Sequence, residues 1–329
     1  MRPRLSVLVT SAGAAPAAAV LKALRAQSRY DVTVGAVDMA RYAVGYRLAD
    51  WWEVAPPASD PGFVPKLLEI CQRRRVRYVF PIIDEEIPVW ARHRQQFAQA
   101  GITVFVNPVE CVDRVRDKRR TAEHCALQGI PHPRLFEADE ALRLPSSAYP
   151  LFAKPAAGRG GIGAMKIDSS GELQRHLERY PDALVQELIS GHEYTTDVLV
   201  RDDGFLLAVV PKRRLEVKSG MATKSITEAQ PAVMALVERV AAAFGVRGVA
   251  NVQSIVREGR PYLIEVNPKF ATSLPLTVAA GVNLPLHLIE LARGECQVEG
   301  RMPFRENLLL LRCWDDYFVQ ADDVPETAH

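Results

Sequence analysis

Apolar positions along the chain change their period near Pro131 and Pro133. Before that boundary, short apolar runs at residues 5–9, 32–37, 78–82 and 103–106 alternate with stretches of helical period at 17–26, 63–74 and 87–100. The runs read as strands and the periodic stretches as helices. Such alternation predicts a parallel sheet with crossover helices. The turn at 11–16 joins the first strand to its helix, with Pro16 suited to a helix's first turn. A charge-rich helix is predicted over 109–128, containing Asp117-Lys118. Beyond the boundary the period becomes two. Residues 150–190 read as strands around a glycine loop, and 193–200, 205–210 and 251–267 as mainly antiparallel strand. A helix is predicted over 231–244 and another within 277–292, with Pro285 in its first turn or at a break, and one more strand over 308–311. The expected class is α/β, becoming α+β in the C-terminal half.

Composition narrows the picture by exclusion. The 329 residues suggest two or three lobes around a sizeable core. A net charge of +2 gives no reason to expect nucleic acid or a membrane surface as partner. Arg73-Arg74-Arg75-Val76-Arg77 reads as a solvated helix end. Cys71, Cys111, Cys125, Cys296 and Cys313 are scattered, odd in number and without a CxxC pair. That argues against a disulfide framework or a zinc site and fits a reducing cytoplasm, the expected location. The first apolar run is shorter than the roughly 7–15 residues of a signal core, so it reads as a first buried strand.

Four segments carry candidate chemistry. In 251–267, two alternating runs flank Glu258-Gly259-Arg260 and predict a hairpin. Side chains two apart in a strand share a face, so Glu265 and Asn267 point the same way. If the loop is 258–260, Gln253 lies opposite Glu265 and Asn251 opposite Asn267. A carboxylate and several amide oxygens in one patch is how Mg²⁺ is held beside nucleotide phosphates; an ordinary hairpin with a wet polar face is the plainer alternative. Gly158-Arg159-Gly160-Gly161-Ile162-Gly163 matches G-x-G-x-x-G but leads into an apparent strand instead of a helix, so it is not a dinucleotide fingerprint. With Lys154 on the entering strand it reads as a flap over phosphates or as a surface hairpin with a mobile tip. The segment 211–224 is dense in cations: it clamps a carboxylate or acyl phosphate, or is a solvated strand edge. Asp84-Glu85-Glu86 follows a strand end, the usual ligand side of an open α/β sheet, and reads as an amine receptor or as a helix N-terminal acidic cluster. Asp38, after the second strand, reads as a turn residue.

Taken in order along residues 4–300, these motifs resemble the ATP-grasp superfamily, in particular single-unit proteins similar to the carbamoyl-phosphate synthase large subunit. The resemblance implies an N-terminal Rossmann-like pre-ATP-grasp lobe at 1–107, a small flap lobe at 108–188 and a C-terminal antiparallel-sheet lobe with the metal hairpin at 189–329. It implies ATP as co-substrate with Mg²⁺ or Mn²⁺. By resemblance, Lys118 and Lys154 hold phosphates under the flap glycines Gly160 and Gly161. Gln186 and the backbone of Glu187 and Ile189 contact adenine, and Glu193 binds ribose. Gln253, Glu265 and Asn267 coordinate the metal. Lys269, where relatives often carry arginine, touches the transferring phosphoryl and the acyl substrate, with Asn267 and Arg214 beside the chemistry. Lys218, Lys224 and Glu85 are the implied substrate contacts. Two departures stand out: Phe270-Ala271-Thr272-Ser273 where relatives have glycines, and Ala12, Ala14 and Ala15 in the first turn.

The implied activity is an ATP-dependent carboxylate–amine or carboxylate–thiol ligase working through an acyl phosphate. Its partners would be small-molecule carboxylates and amines, with a homodimer as the assembly relatives suggest. A small-molecule kinase and a non-catalytic ATP-binding regulator are the alternatives.

Overall fold

The computed structural model describes residues 2–155, 163–313 and 315–320. Its first sheet is parallel and has the order β3-β2-β1-β4-β5. The strands are β1 (Arg4–Val9), β2 (Asp31–Asp38), β3 (Trp51–Val54), β4 (Tyr78–Phe80) and β5 (Thr103–Val104). The helices α1 (Ala15–Ala26), α2 (Phe63–Arg73) and α3 (Ile87–Gln99) make the crossovers. Edge strand β3 escaped the sequence reading because Trp51-Trp52-Glu53-Val54 is only half-buried throughout. Asp38, expected as a turn residue, is the last residue of β2, and its carboxylate accepts from the backbone N–H of Gly13 and Ala40.

The helix expected over 109–128 is two helices, α4 (Val109–Arg116) and α5 (Lys118–Leu127). Asp117 between them is extended, φ −96° and ψ 112°, and its carboxylate accepts from the N–H groups of Arg119 and Arg120. An N-cap aspartate fills the orphan donors of the next helix and so ends the previous one.

A four-stranded antiparallel sheet follows, ordered β6-β9-β7-β8. It comprises β6 (Leu135–Phe136), β7 (Leu151–Pro155), β8 (Met165–Ile167) and β9 (Ala183–Glu187), with α6 (Ala138–Leu142) and α7 (Ser170–Arg179) covering its small core of Ala141, Leu151, Ala153, Ile167, Leu173 and Val185. A strand, not a helix, follows the glycine loop, as its flanking pattern requires.

The third sheet has six strands, ordered β14-β13-β10-β11-β12-β15: β10 (His192–Val200), β11 (Leu206–Lys218), β12 (Met221–Thr227), β13 (Gly248–Arg257), β14 (Arg260–Asn267) and β15 (Leu309–Leu311). The cation-dense segment expected as a strand edge is a whole hairpin, β11 turning into β12 through Ser219 and Gly220 at φ +49° and +75°. Helix α8 (Pro231–Phe244) packs on one face. The helix expected within 277–292 is α10 (Leu284–Ala292), and a shorter helix, α9 (Leu274–Ala279), precedes it, with Gly281 at φ +105° between them. Pro285 lies in the first turn of α10, where its missing N–H does no harm.

One core joins the first and third sheets. Val7, Leu24 and Phe80 pack with Leu199, Phe270, Leu274 and Leu288. Among the described residues no helix is long and apolar enough to cross a membrane.

Candidate functional site

The hairpin β13–β14 puts Gln253 opposite Glu265 and Asn251 opposite Asn267. The expected pairing holds by a different route. The turn is the two residues Glu258 and Gly259, at φ +52° and +77°, with Arg257 opposite Arg260. Two positive φ values suit the tight turn that matches strand twist. A register shift at Gln253/Ser254, with Ile264 unpaired, then restores the offset that a three-residue loop would give.

All four polar residues line a cavity of about 730 Å³ between the first and third sheets. Asn251 is nearly buried, and its amide nitrogen donates to the Thr195 hydroxyl at 2.7 Å and to Asp197 Oδ1 at 3.2 Å. Asp197 Oδ2 in turn holds Lys212 Nζ and the Thr277 hydroxyl, each at 2.5 Å. Lys212 is 0% exposed: it is a structural cation of the sheet, and burial pushes its pKa down against the pull of Asp197. Among the described residues no cluster of three His, Cys, Asp or Glu could hold a metal. One carboxylate with amide oxygens is nevertheless a hard oxygen set. It fits Mg²⁺, which keeps waters and takes substrate phosphates to complete its shell.

A smaller hollow adjoins the cavity; Lys118 and Glu265 line both, and Lys154 and Gln186 line the smaller one. Lys118 begins α5 directly after the Asp117 cap. The Lys154 ammonium is pushed down to about 8, first by burial and then by the Lys118 charge, while Glu265 pulls it up. Gln186 is buried on β9. Its neighbour Glu187 pairs with Arg257 at 2.8 Å, and Ile189 is buried in the β9–β10 connection. Gly191 in that connection has no room for a side chain: a Cβ would stand 2.1 Å from the Val256 carbonyl oxygen. Gly160 and Gly161 lie outside the described residues.

The cation-dense hairpin divides its charges. Arg214 lines the cavity, 3.2 Å from Glu193 and donating to the Gly220 carbonyl at 2.9 Å. Lys218 and Lys224 are not in the cavity wall; both flank Glu216, at 3.6 and 2.8 Å, and Lys224, with Thr223, holds that carboxyl down at about 2. The tip residues Ser219, Gly220 and Met221 line the cavity in their place.

Opposite them, Lys269 Nζ lies 2.5 Å from Asp84 Oδ2, and Glu85 also lines the cavity. Glu86 does not: it is buried, accepting from Thr10 and Ser11 hydroxyls, the N–H groups of Ile82 and Ile83, and the Trp90 indole. Burial raises its pKa, and those donors oppose the rise. Asn107, which sequence reasoning passed over, is also buried. It donates to the Val249 and Pro268 carbonyls at 2.7 and 3.3 Å and accepts from Arg247 N–H at 2.8 Å, tying the first sheet's last loop to the hairpin. Only the Glu86-to-Trp90 helical spacing hinted at the first of these; nothing local marks the second.

Comparison with known proteins adds the lineage. Residues 115–273 match the ATP-grasp domain and residues 7–105 the PylC-like N-terminal domain. The carbamoyl phosphate synthase large chain of Thermus thermophilus is 29% identical over 247 residues, 69% of this chain and 24% of that relative. The chain thus spans about a quarter of the length of that curated relative. Among solved structures, the biotin carboxylase domain of Hydrogenobacter thermophilus 2-oxoglutarate carboxylase, crystallised with MgADP and bicarbonate, has a TM-score of 0.71 at 18% identity, covering 92% of this chain and 73% of that one. The L-amino acid ligase of Bacillus licheniformis has a TM-score of 0.70 at 16% identity, covering 92% and 78%. Both likenesses are of fold.

Proposed function

This chain is an ATP-grasp protein with a PylC-like N-terminal domain, and on that premise we propose that it is an ATP-dependent ligase joining a small carboxylate to an amine, or to a thiol, through an acyl phosphate. One observation carries the reading: Glu265 and Lys118 line both the small hollow of Lys154 and Gln186 and the large cavity of Arg214, Asn267 and Lys269. A nucleotide whose base lies towards Gln186 would present its phosphates at Glu265, where the large cavity begins.

In this reading Lys118 and Lys154 neutralise phosphate oxygens. Glu265, Gln253 and Asn267 would hold Mg²⁺, which when bound would offset the negative charge of the phosphates. Lys269 and Arg214 hold the substrate carboxylate in line with the γ-phosphorus. A carboxylate oxygen forms the new P–O bond as the bond from phosphorus to the β,γ-bridging oxygen breaks, leaving ADP. The amine then attacks the acyl carbon, the C–O bond to phosphate breaks, and the amine proton passes to solvent. Positioning and charge neutralisation are what phosphoryl transfer chiefly needs. Glu85 would face the incoming amine.

The test is phosphate release from Mg-ATP by the purified chain against carboxylates and amines, singly and in pairs, with Glu265→Gln as control. Release that needs both partners and drops at least about a hundredfold in the variant is expected. A stable phosphorylated product formed without an amine would replace the ligase with a kinase.

A further inference from the structure

We propose that Asp84 is a positioning residue for Lys269, so that the first sheet supplies the aim of a catalytic group borne by the third. The inference rests on the reading of Lys269 given above. The two side chains meet at 2.5 Å across the cavity, with Lys269 only 18% exposed and Asp84 43%. Their separation of 185 residues makes the contact one between lobes, not a local pair.

Both ends are anchored. Lys269 follows Pro268, whose carbonyl accepts from buried Asn107, and its own N–H donates to the Asn267 carbonyl at 2.8 Å. Asp84 sits in the turn after β4, and Glu86 clamps that turn through the N–H groups of Ile82 and Ile83 at 2.9 and 3.2 Å. The same carboxylate reaches the Thr10 hydroxyl at 2.6 Å and the Ser11 hydroxyl at 3.1 Å, locking the first turn of the fold to it. Burying a carboxylate is expensive unless its acceptors are filled. A turn fixed by such a group has a defined geometry to impart, which a surface ion pair does not need.

The identity of residue 269 explains why aim must come from elsewhere. An arginine fork orients itself on a carboxylate through two parallel hydrogen bonds. A lysine is a point charge on a flexible stem, with no preferred direction of approach. This chain carries Lys269 in the wall of the cavity and places Asp84 against its ammonium group. Asp84 confines the side chain to one side of the cavity, from which it can reach the substrate carboxylate.

Two measurements on the full chain test this. The first follows ADP formation from Mg-ATP with the protein amino acids pooled as carboxylates and amines. Asp84→Asn should lower kcat by about tenfold or more while KM for ATP moves by less than about twofold, and Asp84→Glu should recover part of the loss. In a Lys269→Ala background Asp84→Asn should do nothing further, and in a Lys269→Arg background its effect should shrink, because the fork aims itself. The second measures acetylation of Lys269 by acetic anhydride relative to exposed Lys218. Asp84→Asn should raise that ratio several-fold. Losses from Asp84→Asn and Lys269→Ala that multiply in the double variant, or an unchanged acetylation ratio, would overturn the inference. Loss in Lys269→Ala with none in Asp84→Asn refutes the positioning role alone. Full turnover in Lys269→Ala refutes the reading of Lys269 and the positioning role with it.

Discussion

Lys154 links burial to charge at a single residue. Its ammonium is pushed down to about 8, mainly by burial, from the roughly 10.4 of an unfolded lysine. Folding therefore disfavours its protonated form. That penalty is complete below about pH 8 and is relieved as pH rises from about 8 towards 10.4. An anionic phosphate beside it has the opposite preference. If Lys154 holds phosphate, ATP affinity should be flat below about pH 8 and fall above it as the proton leaves. Calorimetric titration with Mg-ATP should show that bend, and Lys154→Arg, which stays charged, should lose it. A wild-type profile without a bend near pH 8 would remove Lys154 from the phosphate site. Lysine on a strand before a glycine loop was legible in the sequence; its depressed pKa was not, because it comes from burial, and then from Lys118 brought alongside, both of which only the packed fold supplies.

Elements were legible where a period ran long enough, and failed where one residue changed the backbone. The charged stretch 109–128 reads as one helix because its period continues through Asp117. The backbone there is extended, and the carboxylate caps α5 at 2.9 and 3.1 Å. In hindsight an aspartate at that point is an N-cap signal. Asp117→Ala should destabilise the chain by about 0.5–2 kcal/mol, read as a lower urea midpoint at unchanged slope. An unchanged midpoint would mean that the break is held by packing of α4 and α5 and not by the cap. The β13–β14 hairpin teaches the converse. Its register was right although its turn was read one residue too long, because an unpaired Ile264 makes up the difference. Alternation constrains which side chains share a face more tightly than it constrains how the chain turns.

At the scale of the molecule, the first and third sheets share one hydrophobic core and are expected to unfold together. Phe80 and Phe270 rings lie 6.2 Å apart, and Leu274, 0% exposed, packs with them in the core that contains Val7 and Leu199. The four-stranded sheet has a core of its own. Leu274→Ala should cost about 2–5 kcal/mol, and the loss should appear as faster amide exchange in β1 as well as β10, with β7 unchanged. Exchange that quickens in β10 alone would show the two sheets opening independently.

Local chemistry settled a great deal. The alternation of runs and periodic stretches gave the parallel sheet, and period two gave the antiparallel ones. Strand geometry paired Gln253 with Glu265 and Asn251 with Asn267, because side-chain period along a strand is fixed by the backbone. Tertiary structure decided which cations act where. Lys212 and Arg214 lie two residues apart on β11, yet one is sealed against Asp197 and the other lines the cavity. Lys218 and Lys224 turn to Glu216, and Lys269 finds Asp84 in the other lobe. A charge's partner depends on which faces the lobes cover when they pack, and no local period encodes that.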